Sequence, residues 1–265
     1  MTYSEAVRTR YAPTPSGYLH EGNAAHFLVV ARLAHERGGD IALRIDDIDA
    51  ARFRREYLQD IFDLLEWLEL PWSFGPRATS DLEVWSQSTR LDRYREAFAV
   101  LRADHRVYAC ECSRAEWTGH SGSSCPRDCR ARKVHAGNVS FRLHVPTLGA
   151  IADPVIWRRD DLPAYHLTSV VDDDLWDIDF VVRGADLRDS TATQLALSEL
   201  LPESQFRHAT VLHHDLALDD QGSKMSKSSG RRAVPLERTD RTRSTIAGLA
   251  DRLYETLVNY RPRNS

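Results

Sequence analysis

Hydrophobic positions along the chain repeat with two periods, and the order of those periods predicts an α/β fold. Val7 to Tyr11 reads as a short strand, followed by a turn rich in proline and glycine and a helix from Asn23 to Arg37 closed by Gly38 and Gly39. Ile41 to Ile45 makes a second strand. Beyond Asp49, Tyr57, Ile61, Leu64, Leu65 and Leu68 share one helical face until Pro71 stops it. In the middle, Val139, Phe141, Leu143 and Val145 alternate as in a half-buried strand. Asp177 to Arg183 then reads as a strand, Thr191 to Leu201 as a helix opened by the pair Thr191 and Gln194, and Ala209 to His213 as another strand. From Thr242 onward, Ile246, Leu249, Leu253 and Leu257 stand at helical spacing, which predicts a closing helix too short to be an RNA-reading domain. Strands alternating with helices imply an open parallel sheet whose ligand sits at the carboxyl ends of the strands, where the winding reverses.

With 265 residues and 42% hydrophobic content, the chain can bury one substantial core plus a small appendage. It has no internal repeat, no apolar run of signal-peptide length and no stretch of the roughly 18 apolar residues that a membrane span needs. A cytoplasmic protein is expected. The balance of 35 basic and 39 acidic side chains gives a net charge of −4, so any RNA contact must be local. Basic residues cluster at Arg52, Arg54 and Arg55, at Arg127, Arg130, Arg132 and Lys133, and at Arg231, Arg232, Arg238, Arg241 and Arg243. Each cluster fits a phosphate contact or ordinary solvated surface.

Three segments carry candidate chemistry. After the first strand comes Arg10-Tyr-Ala-Pro-Thr-Pro-Ser-Gly-Tyr-Leu-His-Glu-Gly-Asn23, whose last four residues open a helix where free N–H groups and the dipole favour phosphate. Gly22 permits close approach and His20 can donate to a phosphate oxygen. Taken alone, the segment also fits a capped helix with a surface histidine. The second segment is Lys224-Met-Ser-Lys-Ser228 between Gly222 and Gly230, a cationic arm able to close over a triphosphate. The third holds all four cysteines, Cys110-Glu-Cys112 and Cys125-Pro-Arg-Asp-Cys129. In a reducing compartment two close pairs in a loop read as a structural, tetrahedral Zn²⁺ site, the alternative being free thiols in an apolar insertion.

Together these segments resemble the class I aminoacyl-tRNA synthetases. His20 to Asn23 is similar to their "HIGH" element, and Lys224 to Ser228 spells "KMSKS". Arg10 to Gly17, Leu43 to Asp49, Pro163 to Leu167, Val170 to Asp173 and Val182 to Gly184 resemble the glutamyl and glutaminyl branch, and within it the truncated glutamyl-Q-tRNA(Asp) synthetases. The likeness covers about residues 8 to 230. It implies a Rossmann-like catalytic domain in two halves, 1–104 and 161–230, split by a zinc-binding acceptor subdomain at 105–160 and followed by a helical tail at 231–265, with no anticodon-binding domain.

The implied reaction is activation of L-glutamate by ATP and Mg²⁺ as glutamyl-adenylate and transfer to queuosine of tRNA(Asp), by a monomer. The likeness implies that His20, Gly22, Asn23, Lys224 and Lys227 bind ATP, with His20, Lys224 and Lys227 acting in catalysis. It implies glutamate contacts at Arg10, Ala12, Thr14, Asp46, Tyr165 and Arg183, and metal ligation by Cys110, Cys112, Cys125 and Cys129. Asp46 stands where glutamyl enzymes usually carry Glu, which lengthens the pocket by about one methylene. A ligase loading glutamate, glutamine or an analogue on a non-tRNA acceptor is the competing expectation, and a non-catalytic relic the third.

Overall fold

The computed structural model describes residues 6–119, 125–134, 137–144, 153–217 and 234–259. In chain order the elements are β1 (Arg8–Tyr11), α1 (Glu21–Glu36), β2 (Asp40–Leu43), α2 (Arg55–Trp67), α3 (Leu82–Trp85), α4 (Leu91–Ala103), β3 (Val107–Cys110), α5 (Arg114–Thr118), β4 (Ser140–Leu143), β5 (Val155–Trp157), α6 (Tyr165–Leu175), β6 (Phe180–Gly184), α7 (Arg188–Glu199), β7 (Thr210–His214) and α8 (Asp240–Val258). They form two compact units. Met1–Thr89, Ile178–Arg188 and Ala209–Ser265 make the first, and Arg90–Asp177 with Asp189–His208 the second.

In the first unit β1 and β2 are parallel, with Arg10 opposite Ala42, and α1 is the crossover that a parallel pair requires. β6 and β7 form a second parallel pair, with Arg183 opposite His213. Asp179 joins the pairs, because its N–H donates to Arg8 O at 3.1 Å while its carboxylate accepts from Arg8 N at 2.7 Å. β1 therefore has β2 on one side and β6 on the other, the reversal that opens a ligand crevice. At Gly75 (φ +106°) the chain turns back so tightly that a Cβ would strike Leu43 O, and Leu43 N–H donates to Phe74 O at 2.9 Å.

One apolar cluster unites Phe27, Val30 and Leu33 of α1, Leu43 and Ile45, Leu58, Ile61 and Leu65 of α2, and Ile246, Leu249 and Leu253 of α8. Burial contributes about 1.5 to 3 kcal/mol for each of the three α8 side chains, more than the exposed Arg32–Asp251 pair beside them. α8 begins earlier than the apolar spacing from Thr242 indicates, because the Thr239 hydroxyl accepts from Thr242 N–H at 3.2 Å and caps it.

The second unit holds an antiparallel sheet in the order β3-β4-β5, with Cys110 opposite Ser140. The expected strand from Val139 is confined to Ser140–Leu143, and Val145 lies outside the described residues. Its alternation is broken, since Ser140 is buried beside the cysteines while Phe141 is half-buried, edge-on to Phe98. α4 and α6, which the hydrophobic pattern did not reveal, are joined through Asp172. This fully buried carboxylate accepts from Arg90 Nε and Nη2 at 2.8 and 3.1 Å and from Tyr94 OH at 2.7 Å, which is what makes its burial tolerable. α7 starts at Arg188 rather than Thr191, because a 3₁₀ turn at Ala185–Leu187 runs straight into it. Thr191 and Gln194 are therefore buried positions inside the helix, not its cap. No helix among the described residues is long and apolar enough to cross a membrane.

Candidate nucleotide and amino-acid site

The loop after β1 is stitched to the end of β2. Arg44 N–H donates to Tyr11 O at 2.8 Å and Asp46 N–H to Pro13 O at 2.9 Å, which sets Asp46 beside the half-buried Ala12 and Thr14. Asp46 is held in turn by Arg44, a fully buried guanidinium reaching its carboxylate at 2.6 Å through Nε and 3.3 Å through Nη2. The next residues are clamped by Gln87, whose N–H donates to Asp47 Oδ1 at 2.8 Å and whose amide oxygen accepts from Ile48 N–H at 3.0 Å. The carboxylate expected to meet an ammonium is thus preorganised by a partner that the sequence reading did not single out. The signal was present in Leu43-Arg44-Ile45, a cation between two core residues at a strand end, two positions before an acid.

His20 is the N-cap of α1. Its Nδ1 accepts from Asn23 N–H at 3.1 Å, and its own N–H donates to Asn23 Oδ1 at 3.2 Å, so the two residues form a reciprocal capping box. Because Nδ1 is committed as an acceptor, the ring proton of the neutral imidazole sits on Nε2, available as a donor. Gly22 is buried in this turn. A Cβ there would lie 2.9 Å from His20 Cε1 and 3.1 Å from the Cβ of Ala217. The strand exit at Ala217 therefore packs directly on the glycine of this turn. Lys224 and Lys227 lie outside the described residues.

Arg10 on β1 and Arg183 on β6 are both buried, 5% and 3% exposed. They converge near His26 of α1. Burial pushes that imidazole well below its ordinary range, and the positive neighbours His214, Arg10 and Arg183 push it further. His213, on the same rim, is lowered to about 4, by burial first and then by Arg188 and Arg183. Two buried guanidinium groups and these imidazoles thus share the carboxyl ends of the strands. Tyr165 opens α6 in the second unit and is 39% exposed. His26 and His214 escaped the sequence reading, since a lone histidine on a helix or at a strand end carries no distinguishing local pattern.

The four cysteines converge in the second unit, with all four Sγ atoms within 4.8 Å of one another. Cys112 Sγ is 3.5 Å from Cys125 Sγ and 3.7 Å from Cys129 Sγ, and Cys110 Sγ is 3.7 Å from Cys125 Sγ. A tetrahedron with Zn–S bonds of about 2.3 Å has edges of about 3.8 Å, so the thiols stand at the spacing such an ion needs. Burial raises the Cys112 and Cys125 thiols; it opposes ionisation of Cys110 too, but hydrogen bonding, led by the Cys112 backbone N–H and joined by the neighbouring thiols, outweighs it and leaves that thiol lowered. Arg159 Nη2 holds the loop by donating to Glu111 O and Cys112 O at 2.7 and 2.6 Å.

The family model for "tRNA synthetases class I (E and Q), catalytic domain" matches residues 6–141 and 127–246. A glutamyl-Q tRNA(Asp) synthetase of Methylococcus capsulatus is 38% identical over 252 residues, covering 87% of this chain and 79% of the relative. A glutamate–tRNA ligase of Syntrophus aciditrophicus is 32% identical, covering 87% of this chain and 54% of the longer relative. The crystal structure of a glutamate tRNA ligase from Elizabethkingia meningosepticum, in complex with its amino acid, superposes with a TM-score of 0.64 at 25% identity, over 84% of this chain and 52% of that one. The chain belongs to the catalytic-domain family of the class I tRNA synthetases for glutamate and glutamine, a family of ligases.

Proposed function

We propose that the chain uses ATP and Mg²⁺ to activate L-glutamate as glutamyl-adenylate and transfers the glutamyl group to queuosine in the anticodon of tRNA(Asp). The observation that carries this reading is the packing of Ala217 on Gly22, one turn from His26, which lies near the buried Arg10 and Arg183. In this reading the turn at Gly22, the strand exit leading to a lysine-rich segment and the two guanidinium groups serve one ligand site in the first unit. The acceptor is taken from the Methylococcus relative, which matches this chain over most of both lengths.

In this reading the α-carboxylate of glutamate attacks the α-phosphorus of ATP and pyrophosphate leaves, so the protein must align reactants and spread charge rather than supply a nucleophile. The Nε2–H of His20 and the first-turn N–H groups at Gly22 and Asn23 meet phosphate oxygens. Lys227, assisted by Lys224, neutralises the departing pyrophosphate, and Mg²⁺ bound to the phosphates shares that charge. Arg10 and Arg183 take the two carboxylates, Asp46 the ammonium, and Ala12 and Thr14 line the loop beside it. Attack by the acceptor hydroxyl on the adenylate carbonyl then forms the ester and releases AMP. Cys110, Cys112, Cys125 and Cys129 would hold a structural Zn²⁺ that fixes residues 105–160 and takes no part in the chemistry.

Pyrophosphate exchange tested over all amino acids examines the first half, and transfer to tRNA(Asp) with and without queuosine, read on acid gels, the second. Exchange with glutamate and ester formation only on queuosine-bearing tRNA are expected. Ester on the terminal adenosine, or on both tRNAs alike, would overturn the acceptor. Lys227→Ala should slow exchange about a hundredfold or more, as removal of one electrostatic donor does.

A further inference from the structure

His26 of α1 and His214 at the end of β7 are bonded ring to ring, with Nδ1 of the first 3.0 Å from Nε2 of the second and ring centroids 5.1 Å apart. The direction of that bond follows from its neighbour. Nδ1 of His214 lies 2.7 Å from the carbonyl oxygen of Asp215, and a carbonyl can only accept, so His214 carries its proton on Nδ1. Its Nε2 is then a lone pair, and His26 must donate from Nδ1–H. Asp215 is itself fixed, since its N–H donates to the Thr256 hydroxyl at 3.2 Å and that hydroxyl donates to Leu253 O at 2.7 Å in α8. A chain of hydrogen bonds, each donating toward the next, thus runs from α1 through His214 and Asp215 to α8.

The same two segments meet a second time. His26 lies one helical turn beyond Gly22 on α1, and Ala217 lies three residues beyond His214, with the Gly22–Ala217 approach as the other point of attachment. Apolar side chains at positions 26 and 214 would also pack, but could slide; a bond with a defined donor and acceptor fixes separation and register.

We propose that His26 and His214 are positioning residues that set the spacing between the first turn of α1 and Asp215–Ala217, and so shape the nucleotide cradle around Gly22. Both imidazoles are lowered from their ordinary range, chiefly by burial, so the neutral tautomers this chain needs are the forms present near neutral pH. The proposal rests on the reading of that turn as the ATP site.

Two measurements on the full chain separate the couple from that reading. Long-range ¹⁵N–¹H NMR on histidine-labelled protein near neutral pH is expected to find both rings in the Nδ1–H form, while an Nε2–H form at either ring would overturn the bond as directed. In pyrophosphate exchange, His26→Leu and His214→Leu are expected to raise KM for ATP about tenfold with kcat little changed, the loss of one buried hydrogen bond. His26→Asn, whose Nδ2–H stands where Nδ1–H stood, should recover most of the loss. A KM for ATP unmoved in both leucine variants, a shift in KM for glutamate instead, or failure of Asn to rescue would overturn the assignment. A wild-type chain silent in exchange removes the functional reading and with it the ATP consequence, whereas the tautomer spectrum still decides the bond.

Discussion

Removing the Arg44 guanidinium should be among the costliest single changes in the first unit. Arg44 is fully buried and grips Asp46 with two nitrogens, while the Asp46 side chain retains 11% exposure. Arg44→Met keeps much of the stem's volume and deletes the charge, stranding a carboxylate in a pocket shaped for a cation. Breaking one side of a buried pair costs about 3 to 5 kcal/mol. The remaining exposure of Asp46 sets the expectation near the lower end, about 3 kcal/mol, because water relieves part of the stranded charge. With a urea m-value of about 2 kcal/mol/M the midpoint should fall by about 1.5 M, read by tryptophan fluorescence and far-UV circular dichroism. Arg44→Met with Asp46→Leu removes both charges and should restore at least about 1.5 kcal/mol relative to the sum of the single changes. A midpoint shift under about 0.4 M in the single variant, or strict additivity in the double, would refute the claim that this pair holds the end of β2.

Cys112→Ala should lose zinc entirely, from one ion per chain to none by metal analysis of purified protein; a wild-type chain without metal ends that reading. Gly22→Ala places a methyl 2.9 Å from His20 and 3.1 Å from Ala217, so exchange should fall at least tenfold while the melting temperature stays within a few degrees. Ala217→Gly added to it should recover part of the activity, and no recovery would place the damage elsewhere. His213, held neutral down to about 4, makes folding weaken as pH falls from its ordinary value near 6.5, because the unfolded chain takes up the proton first. His213→Gln should flatten the fall in urea midpoint between pH 7 and 5, and identical slopes in variant and wild type would contradict the assignment.

What could be read from sequence is what local periodicity encodes. The strand, loop and helix at Arg8 to Glu36 lie within two residues of their expected bounds, because an alternating apolar run, a cap and paired glycines all act over a few positions. The convergence of the cysteines follows from pairs separated by one and three residues, which leave a loop little freedom to keep the thiols apart. α6 escaped because Asp172, Asp173 and Asp174 make Tyr165–Leu175 read as polar. The reason Asp172 can be buried sits at Arg90, 82 positions away, and no local window contains it. The His26–His214 couple escaped for the same reason, its two members being 188 positions apart, whereas the Arg44 partner stands only two positions on, within any local window.

The charges in the first unit argue about the ligand independently of any motif. Arg10 and Arg183 are nearly fully buried, and a buried guanidinium demands anions or acceptors around it. The imidazoles nearest to them are lowered from their ordinary range, chiefly by burial, so they add little positive charge near neutral pH. The Asp46 carboxylate is held by Arg44. In the proposed reading a dicarboxylic amino acid meets both guanidinium groups and offers its ammonium to Asp46, whereas one with a single carboxylate meets only one of them. Glutamine, which presents an amide where glutamate has its second carboxylate, should therefore bind more weakly than glutamate. Arg183→Gln should narrow that preference by weakening glutamate alone. Equal loss for both amino acids, measured as kcat/KM in pyrophosphate exchange, would mean that Arg183 supports the strand and never meets the side chain.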